Sequence, residues 1–385
     1  MNPTIPYGKQ HVTQEDIDAV VSVLKSDFWT QGPTVPEFEK NFAEYVGSTY
    51  AVAVANGTAA LHLCTLALNV KPGDKVITSP ITFVASANCV AYCGGGVVFA
   101  DIDRETYLLD INEVRKLLEA DTGKQIKGII PVDFAGRVID FEAFRALADE
   151  FGCWLIEDAC HAPGGSFTNA AGNTIKAGSG TYADLAIFSF HPVKHIAAGE
   201  GGMITTNDKE LYERILILRT HGIQQGLSKR IYDDSLWYYE MQELGYNYRL
   251  TDIQAALGNS QLHRAGAGLQ RRREIAQVYK EAFKNNSNIV DRNEGFSENH
   301  AYHLYVIEVK DRKGLHAYLR EENIFAQIHY IPAHLMPYYR EQGWKEGDLP
   351  NAEDYYSGCI SLPMYPTLTK EEQVSVINKI LRFTT

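Results

Sequence analysis

The chain has 385 residues, 45% of them hydrophobic and 22% charged, with a formal net charge of −12. That length supports one large or two medium domains with an ample core. The acidic balance, with no basic block beyond "QRRRE" at residues 270–274, argues against a nucleic-acid partner, and no apolar run reaches membrane-spanning length.

In chain order, "TQEDIDAVVSVLKSD" predicts the first helix, with Thr13 and Asp16 as a capping box and Ile17, Val20, Val21 and Leu24 on one face. "GTAALHLCTLAL" reads as a buried helix over residues 57–68. Short apolar strands then alternate with amphipathic helices. "KVITSP" precedes a helix over residues 85–93, "VVFADI" precedes "INEVRKLLEA", and "IKGIIPVDF" precedes "FEAFRALADEFG". The strands "CWLIEDA", "ADLAIFSF" and "GGMITT" follow. Apolar strands separated by helices predict a mostly parallel sheet covered on both faces, an α/β fold. From about residue 265 the texture changes to a helical stretch and then a smaller α+β unit. The expected domains are therefore residues 1–265 and 266–385.

The six cysteines, at positions 64, 89, 93, 153, 160 and 359, form no CxxC pair and no zinc-ligand spacing. Reduced thiols are expected, and no metal. The opening "MNPTIPYGKQ" lacks a basic segment followed by an apolar one, so no signal peptide and a cytoplasmic location are expected.

Ligands of an open α/β sheet bind beyond the carboxyl ends of its strands. Three features fall at such places. "ANGTAAL" offers the amides of a helix start, with Gly57 and Thr58, to an anion; an ordinary Asn or Thr cap is the plainer reading. Asp158 ends a strand as either a cap or a buried anion that keeps a ligand nitrogen protonated, and His161 is a core histidine or a partner of the same ligand. Lys194 follows "FSFHPV" and precedes "GEGG". Most lysines are surface residues, but one held in a desolvated pocket becomes a nucleophile. The glycine pattern in "GSGTYA" precedes a strand and so fails the context of a dinucleotide site. Together the three features describe a pyridoxal phosphate site, with phosphate at a helix start, carboxylate at the pyridine nitrogen and lysine at the aldehyde.

The ordered motifs "GTAAL", "TFVAS", "EDACHAPG", "FSFHPVK…GEGG" and "GYNYRLTDIQAALG" resemble the DegT/DnrJ/EryC1/StrS sugar aminotransferases over nearly the whole chain. The resemblance implies the fold type I architecture of pyridoxal phosphate enzymes, with a mostly parallel seven-stranded sheet between helices and a smaller C-terminal α+β domain. "SPITFVASANCV", "LWYYEMQELGYNYRLTDIQAALG" and "IHYIPAHLMPYY" are most similar to the branch serving pseudaminic acid synthesis. That branch implies amination of C4 of a UDP-linked 2-acetamido-2,6-dideoxy-4-hexulose of L-arabino configuration. L-glutamate would be the donor, and pyridoxal 5'-phosphate would alternate with pyridoxamine phosphate. A D-xylo 4-keto epimer or a 3-keto sugar is the alternative substrate.

The resemblance assigns Lys194 to the covalent bond with the cofactor and to proton transfer, and Asp158 to the pyridine nitrogen. It assigns His161 to the 3-hydroxyl, Phe83 to stacking on the ring, and Gly57, Thr58, Ala59 and Ser189 to the phosphate. Asn247 would reach the phosphate from a second subunit of a homodimer with shared sites. Tyr7, Trp29, Thr30, Gln31, Gly32, Ser189, His329 and Tyr330 would line the sugar-nucleotide side, with "LSKRIY" at residues 227–232 as a basic loop for the nucleotide or a plain surface loop. The chain departs from many relatives at Asn56, where they carry Ser, and at Ala198, where they often carry Thr or Cys. A dehydratase of the same family is disfavoured, because that branch has His in place of the lysine. A cofactor-binding regulator is disfavoured, because no DNA-binding segment is appended.

Overall fold

The computed structural model describes residues 4–224 and 237–385. The loop "LSKRIY" lies outside the described residues.

Seven strands form the main sheet: β1 (Tyr50–Val54), β2 (Lys75–Thr78), β3 (Gly96–Phe99), β4 (Ile126–Ile130), β5 (Trp154–Asp158), β6 (Leu185–Ser189) and β7 (Gly202–Thr206). Their order across the sheet is β1-β7-β6-β5-β4-β2-β3. All neighbours are parallel except β7, which runs antiparallel between β1 and β6, with Ile204 opposite both Val52 and Ile187. The expected mostly parallel sheet is thus present, with one reversed strand. The central strands are buried along almost their whole length. A strand covered on both faces has no solvent side, so its sequence is continuously apolar rather than alternating.

Helices cover both faces. Gly57–Ala67 is buried on nearly every side, whereas Ile111–Ala120 and Phe141–Phe151 bury single apolar stripes and start on the Asp caps Asp110 and Asp140. At the first helix, Gln14–Leu24, the Thr13 amide donates to Asp16 Oδ2 at 3.0 Å, as the capping box predicts. Asp16 also reaches helix Asp252–His263. Its carboxylate accepts from Ser260 Oγ at 2.7 Å and Gln261 Nε2 at 2.8 Å, and pairs with Arg264. The cap therefore also fastens two helices together.

Two hydrophobic clusters fill the molecule, one around the seven-stranded sheet and one around β8 (Ile289–Val290), β9 (Tyr305–Val309) and β10 (Cys359–Leu362). Ile5 packs in the second cluster, and Ile5–Pro6 pairs in parallel with Ile324–Phe325. The N-terminal segment thereby ends at the pocket described next, with Tyr7 on its wall. A network joins the two clusters: Arg104 forks onto Glu308, and the Tyr107 hydroxyl donates to the same carboxylate.

Candidate active site

A cavity of about 490 Å³ opens at the carboxyl ends of the parallel strands. Chain segments leaving β1, β2, β4, β5 and β6 supply its walls through Asn56, Thr82, Val132, Asp158 and Ser189. Strand ends meet helix starts here, so backbone amides and short polar side chains converge without crossing the core.

Asp158 closes β5 and is only 5% exposed. Its Oδ2 accepts from Ser86 Oγ at 2.6 Å and its Oδ1 from the Cys160 amide at 3.2 Å. A carboxylate has about four acceptor positions, so two donors leave capacity for another. Ser86 was not foreseen from the sequence. Its signal was its spacing: it lies three residues after Phe83 in "TFVAS", one helical turn away. Ser86→Ala removes a hydrogen bond to a buried charge, worth about 1.5–3 kcal/mol. The expected result is a drop in kcat of roughly tenfold or more with the melting temperature little changed, checked by steady-state kinetics beside calorimetry.

Lys194 lies just past β6 among residues lining the same cavity. Its amine makes no hydrogen bond or ion pair with the described residues. Burial pushes its pKa below the ordinary lysine value, against the opposing pull of Cys160 and Asp158. A partly desolvated, unpartnered amine is poised to act as a nucleophile or base.

The helix Gly57–Ala67 points its first turn at the cavity. Asn56 caps it, its Oδ1 accepting from the Ala59 amide at 2.8 Å. The Ala59 amide thus meets the cap, and the amides of Gly57 and Thr58 make no hydrogen bond within the helix. The close approach of β7 depends on Gly202, where a Cβ would stand 2.6 Å from the Asn56 carbonyl. Asn56 itself works as a cap, so the departure from Ser at this position keeps the helix start intact.

Phe83 lines the cavity and is 62% exposed, a large flat ring with no aromatic partner in the described residues. His161 is buried. The Ala135 amide donates to its Nδ1 at 3.3 Å, which places the ring proton on Nε2, 3.2 Å from the Tyr330 hydroxyl. Burial, with Lys194 and His329 nearby, drives His161 well below the ordinary histidine value. Burial and Lys194 push His329 down to about 3. Both rings are therefore neutral at physiological pH. The Tyr7 ring packs 5.1 Å from that of His329.

The structure thus gathers Tyr7, Gly57, Thr58, Phe83, Asp158, His161, Ser189, Lys194, His329 and Tyr330 around one cavity. It does not bring Trp29, Thr30, Gln31, Gly32 or Asn247 there. Those residues share a different patch. Thr30 bridges to Thr251, the Gly32 amide donates to buried Asp252 at 2.9 Å, and Asn247 bridges to Thr220. Gln31 and Gly32 line a separate cavity of about 570 Å³ with Arg219 and Arg249. No signal in the sequence separates these two places, because the contact joining residues near 30 to residues near 251 spans over two hundred positions. Among the described residues no cluster of His, Cys, Asp and Glu could hold a metal ion, and no helix is long and apolar enough to cross a membrane.

The sequence profile of the DegT/DnrJ/EryC1/StrS aminotransferase family matches residues 10–381. The chain belongs to this family. It is a sugar aminotransferase of that group, with the fold type I architecture. The Bacillus subtilis spore coat polysaccharide biosynthesis protein SpsC is 39% identical over 387 residues, covering 98% of this chain and 97% of its own length. The Campylobacter jejuni UDP-4-amino-4,6-dideoxy-N-acetyl-beta-L-altrosamine transaminase is 36% identical, covering 98% of each chain. Among solved structures, Helicobacter pylori PseC, described as an aminotransferase of pseudaminic acid biosynthesis, superposes with a TM-score of 0.87 at 31% identity over 99% of both chains. The sugar aminotransferase Spr1654 of Streptococcus pneumoniae, solved in a PMP form and a PLP form, superposes at 0.89 and 0.88 with 29% identity over 99% of both chains.

Proposed function

We propose that this chain uses pyridoxal 5'-phosphate to move the amino group of L-glutamate to C4 of a UDP-linked 2-acetamido-2,6-dideoxy-4-hexulose of L-arabino configuration, in pseudaminic acid biosynthesis. The observation that carries the chemistry is a lysine amine with no partner among the described residues and a buried carboxylate facing one cavity, beside a helix start with spare amides. The similarity to the altrosamine transaminase and to PseC supports the choice of sugar. We further propose a cytoplasmic homodimer, with domains at residues 1–265 and 266–385.

The donor set fits the cofactor. Asp158 has acceptor capacity left for a protonated ring nitrogen, Phe83 has a bare face for a flat ring, and the Gly57 and Thr58 amides with the Thr58 and Ser189 hydroxyls suit a phosphate. When bound, pyridoxal phosphate supplies an aldehyde that bonds amines and a ring that draws electrons from the neighbouring carbon. The Asp158 carboxylate holds a proton on the ring nitrogen. Lys194 Nζ takes a proton from the carbon bearing the amino group and later returns one. His161 presents its Nε2 proton to the 3-oxygen. Tyr7, His329 and Tyr330 close the substrate side and exclude water. Asn247 and residues 29–32 sit outside their own chain's cavity, and we assign them to the neighbouring site of the dimer, Asn247 at the phosphate and Trp29, Thr30, Gln31 and Gly32 toward the sugar nucleotide.

The equal or greater similarity to SpsC favours one second reading, a different nucleotide-linked keto sugar such as the D-xylo 4-keto epimer or a 3-keto sugar. The test loads the protein with pyridoxamine phosphate and offers the L-arabino and D-xylo UDP-4-hexuloses separately, with mass spectrometry of the product. Amination of the L-arabino sugar alone is expected. Amination of the D-xylo sugar alone moves the enzyme to the second reading, and reaction with neither removes both 4-keto assignments.

A further inference from the structure

Packed against His161, outside the residues that line the cavity, lies an imidazole that no role above uses. His303 is buried, on the segment entering β9. Its ring lies 4.2 Å from that of His161 and 5.7 Å from that of His195, centre to centre. Its Nδ1 is buried with no hydrogen-bond partner among the described residues. Leaving such an atom unpaired costs about 1–3 kcal/mol, which an apolar side chain would avoid.

The same segment grips His161 by a second route. The Ala301 amide donates to the Gly136 carbonyl at 2.8 Å and the Leu304 amide to the Ala135 carbonyl at 3.2 Å. Ala135 is thereby held at a φ of 59°, the left-handed region, where its own amide meets His161 Nδ1. The turn has no room to shift: a Cβ on Gly136 would stand 2.8 Å from both the Tyr302 amide and the His161 carbonyl. Behind the segment, buried Arg272 donates to the carbonyls of Tyr302 at 3.1 Å and Met364 at 2.8 Å. The segment therefore fixes His161 indirectly through the Ala135 amide on one side and directly by a ring contact on another.

We propose that His303 is a positioning residue whose ring backs His161, so that a neutral imidazole keeps its Nε2 proton turned into the cavity. The link from His161 to the cofactor rests on the function proposed above. The groups that face this pair of rings are Lys194 and His329 on the cavity side, the Tyr330 hydroxyl at Nε2, His195 beside His303 and bonded to the Ala301 carbonyl, and Arg272 behind His303. Protonating His161 would add a cation beside Lys194, and its burial removes the water that would stabilise it.

The experiment follows nitrogen-15-labelled histidines by NMR in the loaded protein across pH 5–8, alongside the affinity for pyridoxal phosphate. In the parent, His161 is expected to stay neutral throughout. In His303→Ala, water and ring motion are expected to bring its titration up toward the ordinary value of about 6.5, with affinity falling roughly tenfold, the scale of one misplaced hydrogen bond. In a His161→Ala background, His303→Ala is expected to add no further loss, whereas with His161 present His303→Phe is expected to keep the parent behaviour. If His303→Ala does not fold, His303→Leu fills the space without a flat ring and is read in the same way. An unchanged His161 titration, or an equal affinity loss in both backgrounds, would overturn the proposal. Failure of the parent to take up cofactor would instead overturn the reading it rests on, while the His161 titration still decides the role of His303.

Discussion

Turnover of Lys194→Ala is expected to fall by at least about four orders of magnitude, since the covalent and proton-transfer roles of one amine are lost together. The protein should remain folded. Burial lowers the folded pKa of this lysine below its unfolded value. The unfolded chain then binds more protons, so this residue costs stability on the acid side and the cost fades as pH rises. Removing it is expected to leave the cofactor-free protein at least as stable at neutral pH as the parent. Melting curves measured beside single-turnover kinetics separate loss of chemistry from loss of structure. Full activity in this variant would sink the assignment.

Asp158→Asn is the second large effect. The side chain keeps its shape and loses its charge. Ser86 Oγ and the Cys160 amide both donate to this carboxylate. An amide accepts at only one of its two ends, so with its oxygen at the Cys160 amide its NH2 faces Ser86 Oγ, which must then accept and turn its own proton to Thr82. Loss of the buried charge is expected to lower kcat about a thousandfold, roughly 4 kcal/mol of transition-state stabilisation. Retention of covalent cofactor binding through Lys194, seen as persistent visible absorption, would accompany the loss. A variant within about tenfold of the parent would show that the carboxylate is not the ring's counter-charge.

Lys194 and Asp158 were legible in the sequence because each sits where an apolar strand stops, and such a stop is a local signal. The seven strands were legible for the same reason. Their order was not: β7 inserts between β1 and β6, a pairing that periodicity does not encode. Ser86 escaped notice because its partner lies seventy-two positions away. His303 escaped because a packed ring looks like any core aromatic until the fold brings it against His161. The Asn cap was legible as the plainer reading of "ANGTAAL", and Asn56 Oδ1 does reach back to the Ala59 amide in the first turn.

The N-terminal segment has a practical consequence. Ile5–Pro6 is a strand partner of Ile324–Phe325, the Tyr7 carbonyl accepts from the Met364 amide at 2.9 Å, and the Tyr7 ring is cavity wall. An affinity handle fused at this end would hang a few residues from the substrate entrance and tug on a seam between the two hydrophobic clusters. The opposite end closes on the helix Lys370–Thr384. Purification and surface immobilisation should therefore use a handle placed after Thr385, so that the opening of the cavity is left unencumbered.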